Sequence, residues 1–158
     1  MQRVHQHPVL FGSFLAVVLA ALTATAPRPA QAGGGKIYVS EAEYGSYASD
    51  KEMNAAIKKQ SKTSFKGDGT WPLNLMIFLN APAGADKINV VYYDVTKKRE
   101  QIDFAEVGVK PDQKIVQLNG VNLSKERGFV KGHRYDIVAT RIIGGKEKVY
   151  AKTNITLK

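Results

Sequence analysis

The sequence predicts an all-β domain, an antiparallel sandwich of seven short strands with one short helix inserted near residues 49–60. Three observations carry this reading. Short runs alternate between apolar and polar residues, the period expected of half-buried strands. Turn-forming Gly, Pro, Asn and Asp separate these runs at short intervals. Only one stretch replaces the two-residue period with helical spacing, and it follows a capping sequence.

The chain begins with a different kind of segment. Residues 1–8 hold Arg3 and no acidic residue, residues 9–22 are almost wholly apolar, and Ala30, Gln31 and Ala32 close the segment. A positive start, an apolar middle and an Ala-x-Ala exit describe a secretory signal peptide cut after Ala32. The apolar run is shorter than the roughly 20 residues a spanning helix needs, and Pro27 and Pro29 interrupt its continuation. No transmembrane segment is expected in the mature chain. The chain lacks cysteine, so lipid cannot be attached at a cysteine beside the cleavage site.

Residues 33–158 then form a single domain of ordinary size. The leader holds two of the 23 basic residues and none of the 14 acidic ones, so the mature charge is +7, against +9 for the whole chain. Such a surplus favours anionic surfaces where the charges cluster. Here they are scattered, apart from short groups such as Lys97, Lys98 and Arg99. A cysteine-free exported domain fits a bacterial periplasm or cell exterior better than a disulfide-rich animal secretion.

Element by element, residues 36–42 read as a first strand, broken by Tyr44, Gly45, Ser46 and Tyr47. Ser49 and Glu52 have the spacing of a capping box, with Glu52 reaching back to the Ser49 amide. Met53, Ala56 and Ile57 form a narrow apolar stripe, and Lys58 and Lys59 suit the helix C-terminus. After the Lys66–Gly69 turn, residues 71–80 are apolar on both faces and need cover on both sides, one cover being the Met53/Ile57 stripe. Strands follow at 88–95, at 99–107 with Ile102 and Phe104 facing one way, and at 114–118. The last two, 135–143 and 149–157, flank Gly144 and Gly145, a fit for a two-residue hairpin turn. In the final strand Val149, Ala151, Thr153, Ile155 and Leu157 share one face, opposite Tyr150, Lys152 and Asn154.

Phe129, Gly132, Tyr135, Ile137 and Ala139 together have a recognisable spacing. This segment resembles the entry to the penultimate strand of fibronectin type III and related immunoglobulin-like domains, and residues 75–93 resemble their second and third strands. The resemblance implies a tyrosine corner at Gly132 and Tyr135, the Tyr135 hydroxyl bonding to backbone a few residues upstream. Lys131 stands where fibronectin-type domains commonly carry Pro, and the helix is an insertion relative to them. The resemblance speaks to fold and implies no activity.

Catalytic equipment is sparse. The mature chain has one histidine, His133, which reads as a solvent-exposed loop residue, and no serine sits in a Gly-x-Ser-x-Gly context. One histidine with carboxylates matches no usual zinc set, and no cofactor motif is recognisable. Glu41 with Glu43, and Asp103 with Glu106, lack the apolar context that tunes a carboxyl for catalysis.

Two binding features stand out. Trp71, Tyr44 and Tyr47, with Tyr38, bracket the helix and either pack beneath it or stack on sugars. Lys97, Lys98 and Arg99 share a turn suited to an acidic partner. The expected function is therefore an exported, non-catalytic interaction or structural module of the cell envelope. Its partner is an envelope protein or a glycan, contacted through a sandwich edge or loop end, with the Lys-rich final strand one such edge. One alternative is a carbohydrate-binding domain, which requires an exposed Trp71. Another is basic polyanion or envelope binding. Nucleic acid is not an expected partner, because no RNA-binding aromatic signature accompanies the lysines.

Overall fold

The computed structural model describes residues 34–158, so the expected leader at 1–32 lies outside the described residues. The chain is mostly β. Its strands are β1 (Lys36–Ser40), β2 (Ser64–Phe65), β3 (Thr70–Phe78), β4 (Lys87–Asp94), β5 (Glu100–Gly108), β6 (Ile115–Ser124), β7 (Arg134–Ile143) and β8 (Lys146–Leu157). The helix α1 (Asp50–Gln60) lies between β1 and β2, and a 3₁₀ turn spans Lys125–Arg127. The strands join in the order β5-β4-β7-β8-β1-β3-β6, with β2 attached to β8, and the sheet curls into a half-barrel.

The sheet is mixed, which corrects the expectation of a wholly antiparallel arrangement. Both β1 and β2 run parallel to β8, through Lys36↔Lys152 and through Ser64↔Thr156 and Phe65↔Leu157. Two short segments share one side of the long last strand, and such non-local pairing leaves no trace in local sequence. The described residues form eight strands rather than seven, because the two residues of β2 are too few to show a period. The final strand is also not an edge: β7 borders it on one side, β1 and β2 on the other.

Trp71, Leu73, Leu75 and Ile77 of β3 point into the main core, joined there by Ile37 and Val39, Val90 and Tyr92, Ile137, and Ile155. The other face of β3 is covered as its sequence requires. Met76 packs with Ile57 of α1 and Tyr44, and Tyr38, Met53 and Phe78 border them. Ser49 caps the helix, its hydroxyl accepting from the Glu52 amide at 3.3 Å. The Glu52 carboxylate reaches the Ala48 amide at 3.1 Å rather than the Ser49 amide, one residue beyond the expected box. Gly144 and Gly145 both have positive φ, +57° and +74°, as a two-residue hairpin turn demands.

Three bulges account for the departures in strand pattern. The strand expected at 114–118 continues as β6 through Asn119 and Gly120 to Ser124. Pairing jumps from Leu73↔Val121 to Leu75↔Leu118, so β6 carries the extra residue there. Gly120 takes φ +71°, and the buried Asn74 carboxamide accepts from its amide at 2.9 Å. A second bulge puts Tyr150 between Ala139↔Ala151 and Thr140↔Val149. The parity of β8 shifts, and Tyr150 turns inward to full burial, its hydroxyl donating to the Ala83 carbonyl at 2.6 Å. A third, at Ile102 in β5, leaves Ile102 against the core and sends Phe104 outward to 58% exposure.

Candidate functional site

The residues singled out from sequence do not form one site. Trp71 is 1% exposed, sits in the main core, and donates from Nε1 to the Lys158 carbonyl at 3.4 Å. Tyr44 is equally buried but lies on the opposite face of β3, beneath α1. Its main chain is held by side-chain amides from β6. Asn119 accepts from its amide at 3.4 Å and donates to its carbonyl at 3.1 Å, and Gln117 donates to the same carbonyl. Burial pushes the Tyr44 phenol up, against a lowering contact with the Ser61 hydroxyl. Tyr47 borders the same cluster, half-buried. Trp71 is therefore not the exposed ring that the carbohydrate reading requires.

Lys97, Lys98 and Arg99 are exposed in the turn between β4 and β5. Arg99 folds back to place its guanidinium 3.5 Å from the Tyr93 ring centre. That leaves two lysines, rather than three cations, at the tip. Three of the four candidate carboxylates are spent in ion pairs, Glu41 with Lys62, Asp103 with Arg127, and Glu106 with Lys87 at 2.7 Å, while Glu43 is exposed and outside these pairs. Surface pairs of this kind contribute little beyond about 1 kcal/mol. Among the described residues no three His, Asp or Glu gather in a metal-binding group.

Gly132 has φ +87° and donates its amide to the Leu157 carbonyl at 2.7 Å. The fully buried Tyr135 accepts from the Val130 amide at 2.8 Å, five residues upstream, and packs 5.1 Å from Phe129. This loop also contains a pair that sequence reading missed. His133 Nδ1 lies 2.6 Å from the Asp94 carboxylate, so His133 is not a free loop residue. Asp94 also accepts from the Thr96 amide at 2.8 Å. Partial burial pushes the Asp94 carboxyl up, but the bonds from His133 and Thr96 outweigh it and hold the group below the usual aspartate range. The partners are 39 residues apart, and no local pattern links them.

Two further features define where the surface can engage a partner. A cavity of about 540 Å³ opens between β1 and β8, lined by residues of both strands and by Ser61, Lys62 and Thr63. The strand order ends in β5 and β6, and Arg127 links the two by pairing with Asp103 of β5 and donating to the Asn122 carbonyl of β6 at 2.9 Å. β5 carries Glu100, Asp103 and Glu106, whereas β6 has no charged residue along its ten positions. No protein-family model matches the chain, and no curated protein or solved structure matches it significantly.

Proposed function

We propose that this chain is an exported, non-catalytic binding module of the cell envelope that receives an extended segment of a partner protein on the β6 edge. The uncharged β6 edge is the observation that supports the reading. An unpaired strand offers a row of main-chain donors and acceptors, and natural edges are usually guarded by charge. β5 has that guard, whereas β6 has no charge of its own: it carries a bulge, Arg127 donates to its Asn122 carbonyl at 2.9 Å near the end, and Ile115 is left 39% exposed. Strand addition along 115–121, short of the Arg127 contact, places no charged β6 side chain beside the incoming main chain.

The pairing order supports an immunoglobulin-like, fibronectin type III-like reading of the fold. β1-β3-β6 and β5-β4-β7-β8 form two strips joined through the single register pair Lys36↔Lys152, with one core between them. The leader at 1–32 supports export, and cleavage after Ala32 would start the mature chain at Gly33.

The test places a photo-crosslinking amino acid at Asn122 in β6 or at Gln101 in β5 of the full chain, expressed in its native host. Adducts with an envelope protein are expected from Asn122 and not from Gln101, and Ile115→Lys should abolish them without lowering the melting temperature. Equal adducts from both edges, or none from Asn122, would overturn the docking edge. N-terminal sequencing of the exported protein should begin at Gly33, and a retained residue 1 would overturn the export reading.

A further inference from the structure

We infer that the cavity between β1 and β8 is a binding site for a small amphipathic anion, with its charged head at the lysine rim and its apolar body against Tyr38 and the lysine stems. The inference is independent of the β6 edge, because the cavity lies on the opposite side of β3. It begins with how the sheet is sewn. β1 and β8 meet at Lys36↔Lys152 and share no further register pair. β8 then has no strand partner on that side until Thr156, where it meets β2.

The segment after α1 closes the wide end. Lys62 donates its amide to the Val39 carbonyl at 2.8 Å, and Thr156 donates to the Thr63 carbonyl at 2.8 Å. One residue ties to each diverging strand. The result is a wedge bounded on three sides, of about 540 Å³, within the range usual for small-molecule sites.

Its lining is divided by chemistry. Ile37 and Val39, 4% and 2% exposed, only close the floor, and the accessible apolar surface is the half-buried Tyr38 beside the lysine stems. Around it stand the hydroxyls of Ser61, Thr63 and Thr153 and the ammonium groups of Lys36, Lys62 and Lys152. Two of those lysines have carboxylate partners: Glu41 for Lys62, and Asp136 for Lys152 at 2.7 Å. Lys36 has none among the described residues, yet it stands in direct register with Lys152. Because Lys152 is already neutralised by Asp136, Lys36 is the cation left to pair with an anion seated at the apex, and the hydroxyls of Thr63 and Thr153 can donate to its remaining oxygens. The Tyr38 ring and the lysine stems add burial for a short hydrocarbon body.

The experiment is an amide-resolved NMR titration of the mature protein with four eight-carbon probes: octanoate, octyl phosphate, octanol and octyltrimethylammonium. Octanoate and octyl phosphate should both shift the amides of Ile37, Tyr38, Val39, Lys152 and Thr153, and their relative strength tells a carboxylate head from a phosphate one. Octanol and the cation should bind at least about tenfold more weakly, and Lys36→Glu should weaken octanoate by about tenfold. Thr63→Trp, which leaves the Thr63 carbonyl bond in place, should block the mouth and remove the shifts. Octanol binding as well as octanoate, shifts centred elsewhere, or indifference to both substitutions would each overturn the site.

Discussion

The Tyr135 hydroxyl and the Val130 amide would both be costly if buried unpaired, and their 2.8 Å contact satisfies each with the other. The His133 ring stacks near Tyr135, its centroid 6.5 Å away, and carries the link on to Asp94. Asp94 therefore fastens the 128–134 loop to the turn after β4, and its carboxyl is held below the usual aspartate range. The sign of the pH effect follows. A depressed folded pKa stabilises fully above the unfolded value, near 3.9, and the contribution is lost as pH falls through the folded value. Asp94→Asn should cost about 1–2 kcal/mol at neutral pH. Its urea midpoint should also fall less than that of the parent between about pH 5 and pH 2. Parallel pH profiles for the two proteins would show that the carboxylate is not what the loop is tied to.

At the scale of the element, Asn119-Gly120 shows how one dipeptide can serve two structures. The pair is suited to a hairpin turn, but here it makes a bulge, because Asn74 from the neighbouring strand supplies a side-chain acceptor for the Gly120 amide. A Cβ at Gly120 would meet nothing within 4 Å, so only its φ of +71° demands glycine. Gly120→Ala should cost about 1–2 kcal/mol from backbone strain. Asn74→Ala should cost more, because it also frees the Glu41 carbonyl that Asn74 satisfies at 3.2 Å. Urea unfolding of both variants checks the order. The same bulges mark where the sequence stops being legible. Alternation in 71–79 and 88–95 and the Ser49 cap identify β3, β4 and α1 directly. Tyr150 and Phe104 are misplaced because one extra residue inverts every later position of a strand, and the register that reveals it lies in a partner distant in sequence. The cavity was illegible for a related reason: its walls come from residues 36–39, 61–63 and 152–153, which only parallel pairing brings together.

For the whole molecule, the join between its two strips concentrates at the start of β1. Gly35 enters between the end of β3 and β8, and a Cβ there would lie 1.9 Å from the Tyr150 carbonyl oxygen and 2.8 Å from that of Phe78. Both obstacles are main chain, so no side-chain rotation relieves the clash. Tyr150 cannot yield easily either, since its carbonyl accepts from the Asn80 amide at 3.2 Å and its hydroxyl is tied to Ala83. An added methyl must therefore push β1 away from β8 and open the seam. Gly35→Ala should destabilise the protein by about 2–4 kcal/mol. Gly45→Ala, whose Cβ meets nothing within 4 Å, should stay within about 0.5 kcal/mol of the parent. Native-state hydrogen exchange separates a torn seam from general loosening. Amides of β1 and of β8 near Lys152 should lose protection in Gly35→Ala, while those pairing β4 with β5 keep theirs. If the Gly35 and Gly45 variants unfold at the same midpoint, β1 and β8 are not joined where the structure puts them, and the wedge between them would lose its apex.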